Sequence, residues 1–266
     1  MLQVNGISLH LEDHGSGRPV LLLRGRPDSS YLWRNEIPLL VANCFRAIAP
    51  DLRGLGRSDR PEGVAAYSLQ NAVGDVVGIL DASGIEAADI VGHDLGSRRG
   101  VVHCHGPSAS RTQARRSFGA ISAYAAHAPA ARNCLVPAVL PVRRNRGSML
   151  QHGNWALFRE VLRGDGDIER YISDLSRPGA LAASLHWYRA NLAPRLPESS
   201  PKLPLVEAPT LGIWSTNDHY LDGEGMKMSG RFVKGSWRYE QIDGTSHWIP
   251  LDASDQLNQL LIEWLG

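Results

Sequence analysis

Apolar and polar positions alternate along residues 2–13, with Val4, Ile7, Leu9 and Leu11 on one side, and Asn5-Gly6 lies in the middle. That pattern predicts a strand pair joined by a tight turn. Gly15-Ser16-Gly17 reads as a loop. Pro19–Leu23 is a short apolar run, as expected for a strand covered on both faces. An amphipathic helix is predicted over Ser30–Val41, a strand over Phe45–Pro50, and a helix over Tyr67–Ser83 on Leu69, Val73, Val76, Val77 and Leu80. Ala88–Val91 is the next strand. Later the spacing predicts helices over Trp155–Leu162, Asp165–Leu175 and Ala180–Asn191, with a break at Ser176-Arg177-Pro178-Gly179. Pro204–Val206 reads as a linker. Strands are then expected at Pro209–Ser215 and Trp237–Ile242, and a closing helix at Ala253–Leu265. Strands alternating with helices predict an α/β fold with a mostly parallel sheet.

Composition narrows this little. The 266 residues fit one domain with an inserted lid, and 43% hydrophobic residues suffice for a core. A net charge of +1 gives no reason to expect nucleic acid or an acidic partner. Cys44, Cys104 and Cys134 are odd in number and far apart, which suits neither a disulfide framework nor a metal site. The chain enters strand-like sequence directly, without a basic-then-apolar leader, and no apolar run nears the length of a membrane span. A soluble, reducing, cytoplasmic setting is the expectation.

The chemistry concentrates at Ile90-Val91-Gly92-His93-Asp94-Leu95-Gly96-Ser97. Glycines stand two positions either side of Asp94, as in a strand–turn–helix elbow that lifts a nucleophile out of the fold. A Cβ at either glycine would collide as the strand folds back. A carboxylate presented this way attacks an sp³ carbon and forms an enzyme ester. Attack on an acyl carbon would give only an anhydride, which argues against ester and amide substrates. The bland alternative is a glycine-rich turn with an N-capping Asp. His93 is expected to pack or hydrogen-bond under the elbow.

Four stretches carry a resemblance: Arg24-Gly25-Arg26-Pro27, Pro50-Asp51-Leu52-Arg53-Gly54-Leu55-Gly56-Arg57-Ser58, Gly92–Gly96, and the C-terminal half with Arg177-Pro178-Gly179-Ala180-Leu181 and Trp187-Tyr188-Arg189-Ala190-Asn191. In this order they resemble the α/β-hydrolase superfamily, in the branch of epoxide hydrolases and haloalkane dehalogenases. The resemblance implies a core of 1–130 and 200–266 with a helical lid at 131–199. It implies Asp94 as nucleophile, Asp218 as the acid that orients a catalytic histidine at His247, and Tyr188 as a lid donor to the epoxide oxygen. The backbone N–H groups of Arg26 and Leu95 would form the oxyanion hole. A small apolar organic substrate and water would give a vicinal diol, without metal or cofactor and away from membranes, with a homodimer left open. Dehalogenation of an alkyl halide or haloacid is the nearest rival. The chain departs from the family at Arg24, where a histidine is usual, and at Arg26, where an apolar or aromatic residue is usual. Solvated loop arginines are one reading of both. A second lid tyrosine is not located; Tyr124 is a weak candidate.

Between Leu95 and Arg159 there is no Asp or Glu, although the chain holds 27 acidic residues. Arg, Ala, Ser, Pro and His dominate, and periodicity is weak. A basic binding surface, a metal site on His103, Cys104 and His105, and a disordered insertion each fit less well than a frame-shifted or miscoded segment over about 97–149. Such a segment would remove the elbow helix and a central strand, and an inactive polypeptide is the third functional alternative.

Overall fold

The structure, a computed structural model, describes residues 1–94, 146–191 and 205–266. The expected elbow helix and following strand, Leu95, Tyr124 and nearly all of 97–149 lie outside the described residues; only 146–149 of that stretch are described, at the head of a helix.

Strands β1 (Leu2–Val4) and β2 (Ile7–Leu9) form an antiparallel hairpin. Its turn puts Asn5 at φ 51° and Gly6 at φ 77°, the left-handed pair that a two-residue hairpin requires. The hairpin ends at Leu9 rather than running to 13. The next strand, β3 (Leu11–His14), instead enters a four-stranded sheet with β4 (Arg18–Leu23), β5 (Phe45–Pro50) and β6 (Asp89–Gly92), in the order β3-β5-β4-β6. The β5, β4 and β6 strands are parallel and β3 is an antiparallel edge. A second sheet pairs β7 (Thr210–Ser215) with β8 (Trp237–Ile242) in parallel.

Period-two alternation sends each strand to both layers. Val20 and Leu22 join Ala47, Ala49 and Val91 in one core cluster, while Leu21 and Leu23 join Ile48 and Ile90 in the other. This is why Pro19–Leu23 reads as a continuous apolar run.

Most of the predicted helices start or divide elsewhere. Ser30–Val41 splits into a 3-10 turn at Ser30–Arg34 and helix α1 at Glu36–Ala42. A continuous helix would set the Pro38 ring against the Arg34 carbonyl, so Pro38 sits instead in the first turn, where no N–H is needed. Helix α2 (Leu69–Ala82) is capped by Ser68, whose hydroxyl accepts from the Asn71 N–H. Helix α3 (Arg146–Leu162) breaks at His152–Trp155, where Gly153, Asn154 and Trp155 all have positive φ. Helix α4 begins at Ile168, not Asp165, because Gly164 and Gly166 hold φ of 88° and 74°. Helix α5 (Ala180–Asn191) is as predicted. Past β7 come α6 (Gly223–Met228), which the sequence pattern does not announce, then α7 (Ile249–Asp252) and α8 (Ser254–Leu265). No described helix is long and apolar enough to cross a membrane.

Helix α5 is latched to the sheet's loops. Trp187 Nε1 donates to the Arg53 carbonyl at 3.0 Å, and Asn191 Oδ1 accepts from Leu69 N–H at 2.9 Å, at the head of α2. Arg53 in turn is held by Asp75 on α2, its Nε donating to Oδ2 at 2.6 Å, with both side chains buried. Removing one partner of a buried ion pair leaves the other charge uncompensated. Asp75→Ala is expected to cost about 3–5 kcal/mol in urea unfolding; a loss below about 1 kcal/mol, the range of exposed pairs, would show that Arg53 finds water instead.

Candidate active site

The register Leu23↔Gly92 continues past the strand ends, because the His93 N–H donates to the Leu23 carbonyl at 2.9 Å. One step further it sets Gly25 beside Asp94. A Cβ on Gly25 would come 1.8 Å from Asp94 Oδ2, so only glycine leaves room for this carboxylate. Asp94 itself has φ 53°, a left-handed conformation that non-glycine residues seldom adopt. Strain of this kind at the tip of a strand is what lifts a side chain out of the fold. Asp94 is half-buried.

Parallel pairing of β7 and β8 brings the other two groups together in the same way. Asn217 N–H donates to the Thr245 carbonyl, and His247 Nδ1 meets Asp218 Oδ2 at 2.8 Å. The second Asp218 oxygen accepts the N–H groups of Tyr220 and Leu221 at 2.7 and 3.0 Å. Both carboxylate oxygens are therefore engaged and the imidazole is aimed. Burial would hold Asp218 up, but the His247 charge and these hydrogen bonds bring it below the usual carboxylate range. Burial likewise pulls His247 down, and is outweighed by Asp218, then Asp94 and Asp28, which push it up to about 9. Asp94 thus acts on His247 through its charge.

His93 lies between the elbow and the His247 loop. Its ring centroid is 4.7 Å from that of His247, and its Nε2 is 2.9 Å from the His247 carbonyl. A carbonyl only accepts, so Nε2 carries the proton. Burial first, and then the positive field of His247, press His93 down to about 3, so it stays neutral. The expectation that it hydrogen-bonds under the elbow is met.

The sequence reading missed Asp28, Trp248 and Tyr220. Trp248 Nε1 donates to Asp28 Oδ2 at 3.0 Å, and the Tyr220 and Trp248 rings pack edge-on to His247 at 5.3 and 5.0 Å. Burial pushes Asp28 up to about 6 against the Trp248 hydrogen bond and the charges of Arg24 and His247. Only its place next to Pro27 could have drawn attention to it.

Of the two loop arginines, Arg24 is not solvated and Arg26 is half-buried. Arg24 is fully buried and its Nη2 donates to Asp51 Oδ1 at 3.0 Å. The same carboxylate accepts the N–H groups of Ser30 and Arg57 at 2.7 and 2.8 Å, and a Cβ on Gly56 would collide with it. The motif at 50–58 is therefore a cradle around Asp51. Arg26 turns toward α5, its Nε donating to Ser184 Oγ at 3.0 Å and its guanidinium lying 5.3 Å from the Tyr188 ring centroid. Trp187 and Asn191, four residues apart, share the latched face of α5; Tyr188 lies a third of a turn away and is half-buried. Leu95, the other predicted oxyanion donor, is outside the described residues. No group of three or more His, Cys, Asp or Glu suited to a metal occurs among the described residues.

A family model for the α/β-hydrolase fold matches residues 18–100. The chain is 31% identical over 283 residues to the AB hydrolase superfamily protein YfhM of Bacillus subtilis, covering 99% of this chain and 96% of that one. It is 30% identical over 320 residues to Epoxide hydrolase A of Mycobacterium tuberculosis, covering 100% and 96%. A solved structure described as one of the novel epoxide hydrolases from metagenomes of hot environments superposes with a TM-score of 0.84 at 25% identity, covering 98% of this chain and 96% of that one. With such likeness along nearly its whole length, the chain belongs to the α/β-hydrolase superfamily, in the branch that holds the epoxide hydrolases.

Proposed function

We propose that this hydrolase opens a small epoxide to a vicinal diol through an ester on Asp94. The observation that carries the proposal is the Asp94 carboxylate pressed against Gly25 within the field of the His247–Asp218 pair. In this reading Asp94 attacks an oxirane carbon while the Tyr188 phenol hydrogen-bonds the opening oxygen and supplies its proton. Water activated by His247 then attacks the carbonyl carbon of the Asp94 ester, releasing the diol and restoring the carboxylate. The N–H groups of Arg26 and Leu95 hold the developing oxyanion.

The electrostatics time these steps. In the free enzyme His247 stands at about 9 and is an imidazolium at neutral pH, which attracts the Asp94 carboxylate but cannot act as a base. Ester formation removes the Asp94 charge, one of the influences that raise His247, so the imidazole becomes easier to deprotonate once there is an ester to hydrolyse. In the proposal residues 131–199, including α4 and α5, serve as the lid and the rest as the core, with the protein acting in the cytoplasm.

Dehalogenation is the second reading. It needs a donor aimed at a leaving halide, and Leu95, next to the nucleophile, has no side-chain donor.

His247→Gln separates the two steps. The variant is expected to be alkylated but not hydrolysed, so intact-protein mass spectrometry after styrene oxide treatment should show protein plus the whole epoxide. A folded but unmodified variant would contradict the scheme. Tyr188→Phe removes the donor and keeps the ring. Epoxide turnover should fall by about 10²–10⁴, while a halide, being a weak base, should be little affected. Unchanged epoxide turnover would make Tyr188 a packed aromatic only.

A further inference from the structure

Among the described residues the buried arginines Arg24 and Arg53 each have a carboxylate, from Asp51 and Asp75. No carboxylate of the described residues lies within ion-pair distance of Arg26. Its Nη2 is buried and has no hydrogen-bond partner. A guanidinium is charged at every physiological pH, and a buried donor on it without a partner is costly.

The group is nonetheless held in place. Ser184 donates its hydroxyl hydrogen to the Leu181 carbonyl at 2.8 Å, which leaves the oxygen to accept from Arg26 Nε. The guanidinium carbon also lies over the Tyr188 ring, 5.3 Å from its centroid. With Nε anchored, the donor edge at the two Nη atoms is preset. Its position is also fixed by the chain: Arg26 follows Gly25, which touches the Asp94 carboxylate, and its side chain touches Tyr188. The cation therefore borders the space between nucleophile and lid donor.

We propose that Arg26 is a specificity-determining residue that binds a carboxylate carried by the substrate, so that the preferred substrate is an epoxide with a carboxylate close to the oxirane. A planar carboxylate matches a guanidinium edge, and the bound anion supplies the partner that Nη2 lacks. The inference rests on the epoxide reading above and names the substrate class for that site.

The test compares phenylglycidate with styrene oxide, which share a phenyl oxirane and differ in the carboxylate. For the intact protein, kcat/KM should favour phenylglycidate by about 10- to 100-fold, the worth of a hydrogen-bonded charge pair. Arg26→Leu should erase that ratio and Arg26→Lys should keep part of it, whatever either does to the absolute rates through the backbone N–H at this position. A ratio near one in the intact protein, or one that Arg26→Leu leaves unchanged, overturns the proposal. Calorimetric titration with phenylacetate and phenylacetamide gives a readout independent of turnover. Tighter binding of the acid than of the amide, lost in Arg26→Leu, supports the subsite even if neither epoxide reacts, in which case the epoxide reading alone falls. Equal binding of the two ligands overturns the subsite.

Discussion

The parallel register of β4 against β6 is the constraint on which the site depends. It sets the end of one strand, Leu23, beside Gly92 of the other, and the meeting of Gly25 with Asp94 follows from that alignment. Gly25 has to be glycine because Asp94 occupies the space of its Cβ. The parallel pairing of β4 with β5, Leu21 opposite Ile48, brings Arg24 over Asp51, whose carboxylate gathers the Ser30 and Arg57 N–H groups and so ties two loops into one wall. A second parallel pair, β7 and β8, repeats the arrangement for Asp218 and His247. Groups at the carboxyl ends of parallel strands converge because the strands all point the same way.

Charge is distributed so that one histidine is cationic and its neighbour neutral. His247 lies in the field of Asp218, Asp94 and Asp28 and is raised to about 9, while His93, whose ring is tilted against it at 4.7 Å, is lowered to about 3. The difference comes from the carboxylates, since both rings are buried. His93 can therefore serve as a fixed hydrogen-bond donor linking the elbow to the His247 loop, at no risk of competing for the proton that His247 handles. Arg24, standing where a histidine is usual in the family, adds a permanent charge instead of a titrating one, and Asp51 neutralises it.

The parts of this arrangement that were legible in the sequence are those written in one short stretch. Gly92 and Gly96, two positions either side of Asp94, declare the turn on steric grounds, and the apolar run at 19–23 declares a strand covered on both faces. Asp218 and His247 could be singled out only by chain order and resemblance, because neither stretch contains its partner. Contacts between distant segments left no local signal: the Trp248–Asp28 hydrogen bond, the His93–His247 contact and the burial of Arg24 became visible only in three dimensions. Element boundaries failed where a single residue overruled periodicity, at Pro38 and at Gly164 and Gly166. The acid-free stretch after Leu95 carries little periodicity, so it gave composition but no structure to read.

The central claim, covalent catalysis at Asp94, is tested most directly by one turnover in heavy-oxygen water with enzyme in excess over epoxide. Attack of water on the carbonyl carbon of the ester leaves the solvent oxygen in the carboxylate and sends one of the original Asp94 oxygens out in the diol. Covalent catalysis predicts one heavy oxygen in the peptide containing Asp94 and an unlabelled diol. A labelled diol with an unlabelled Asp94 peptide would mean that water attacks the epoxide directly, and would contradict it.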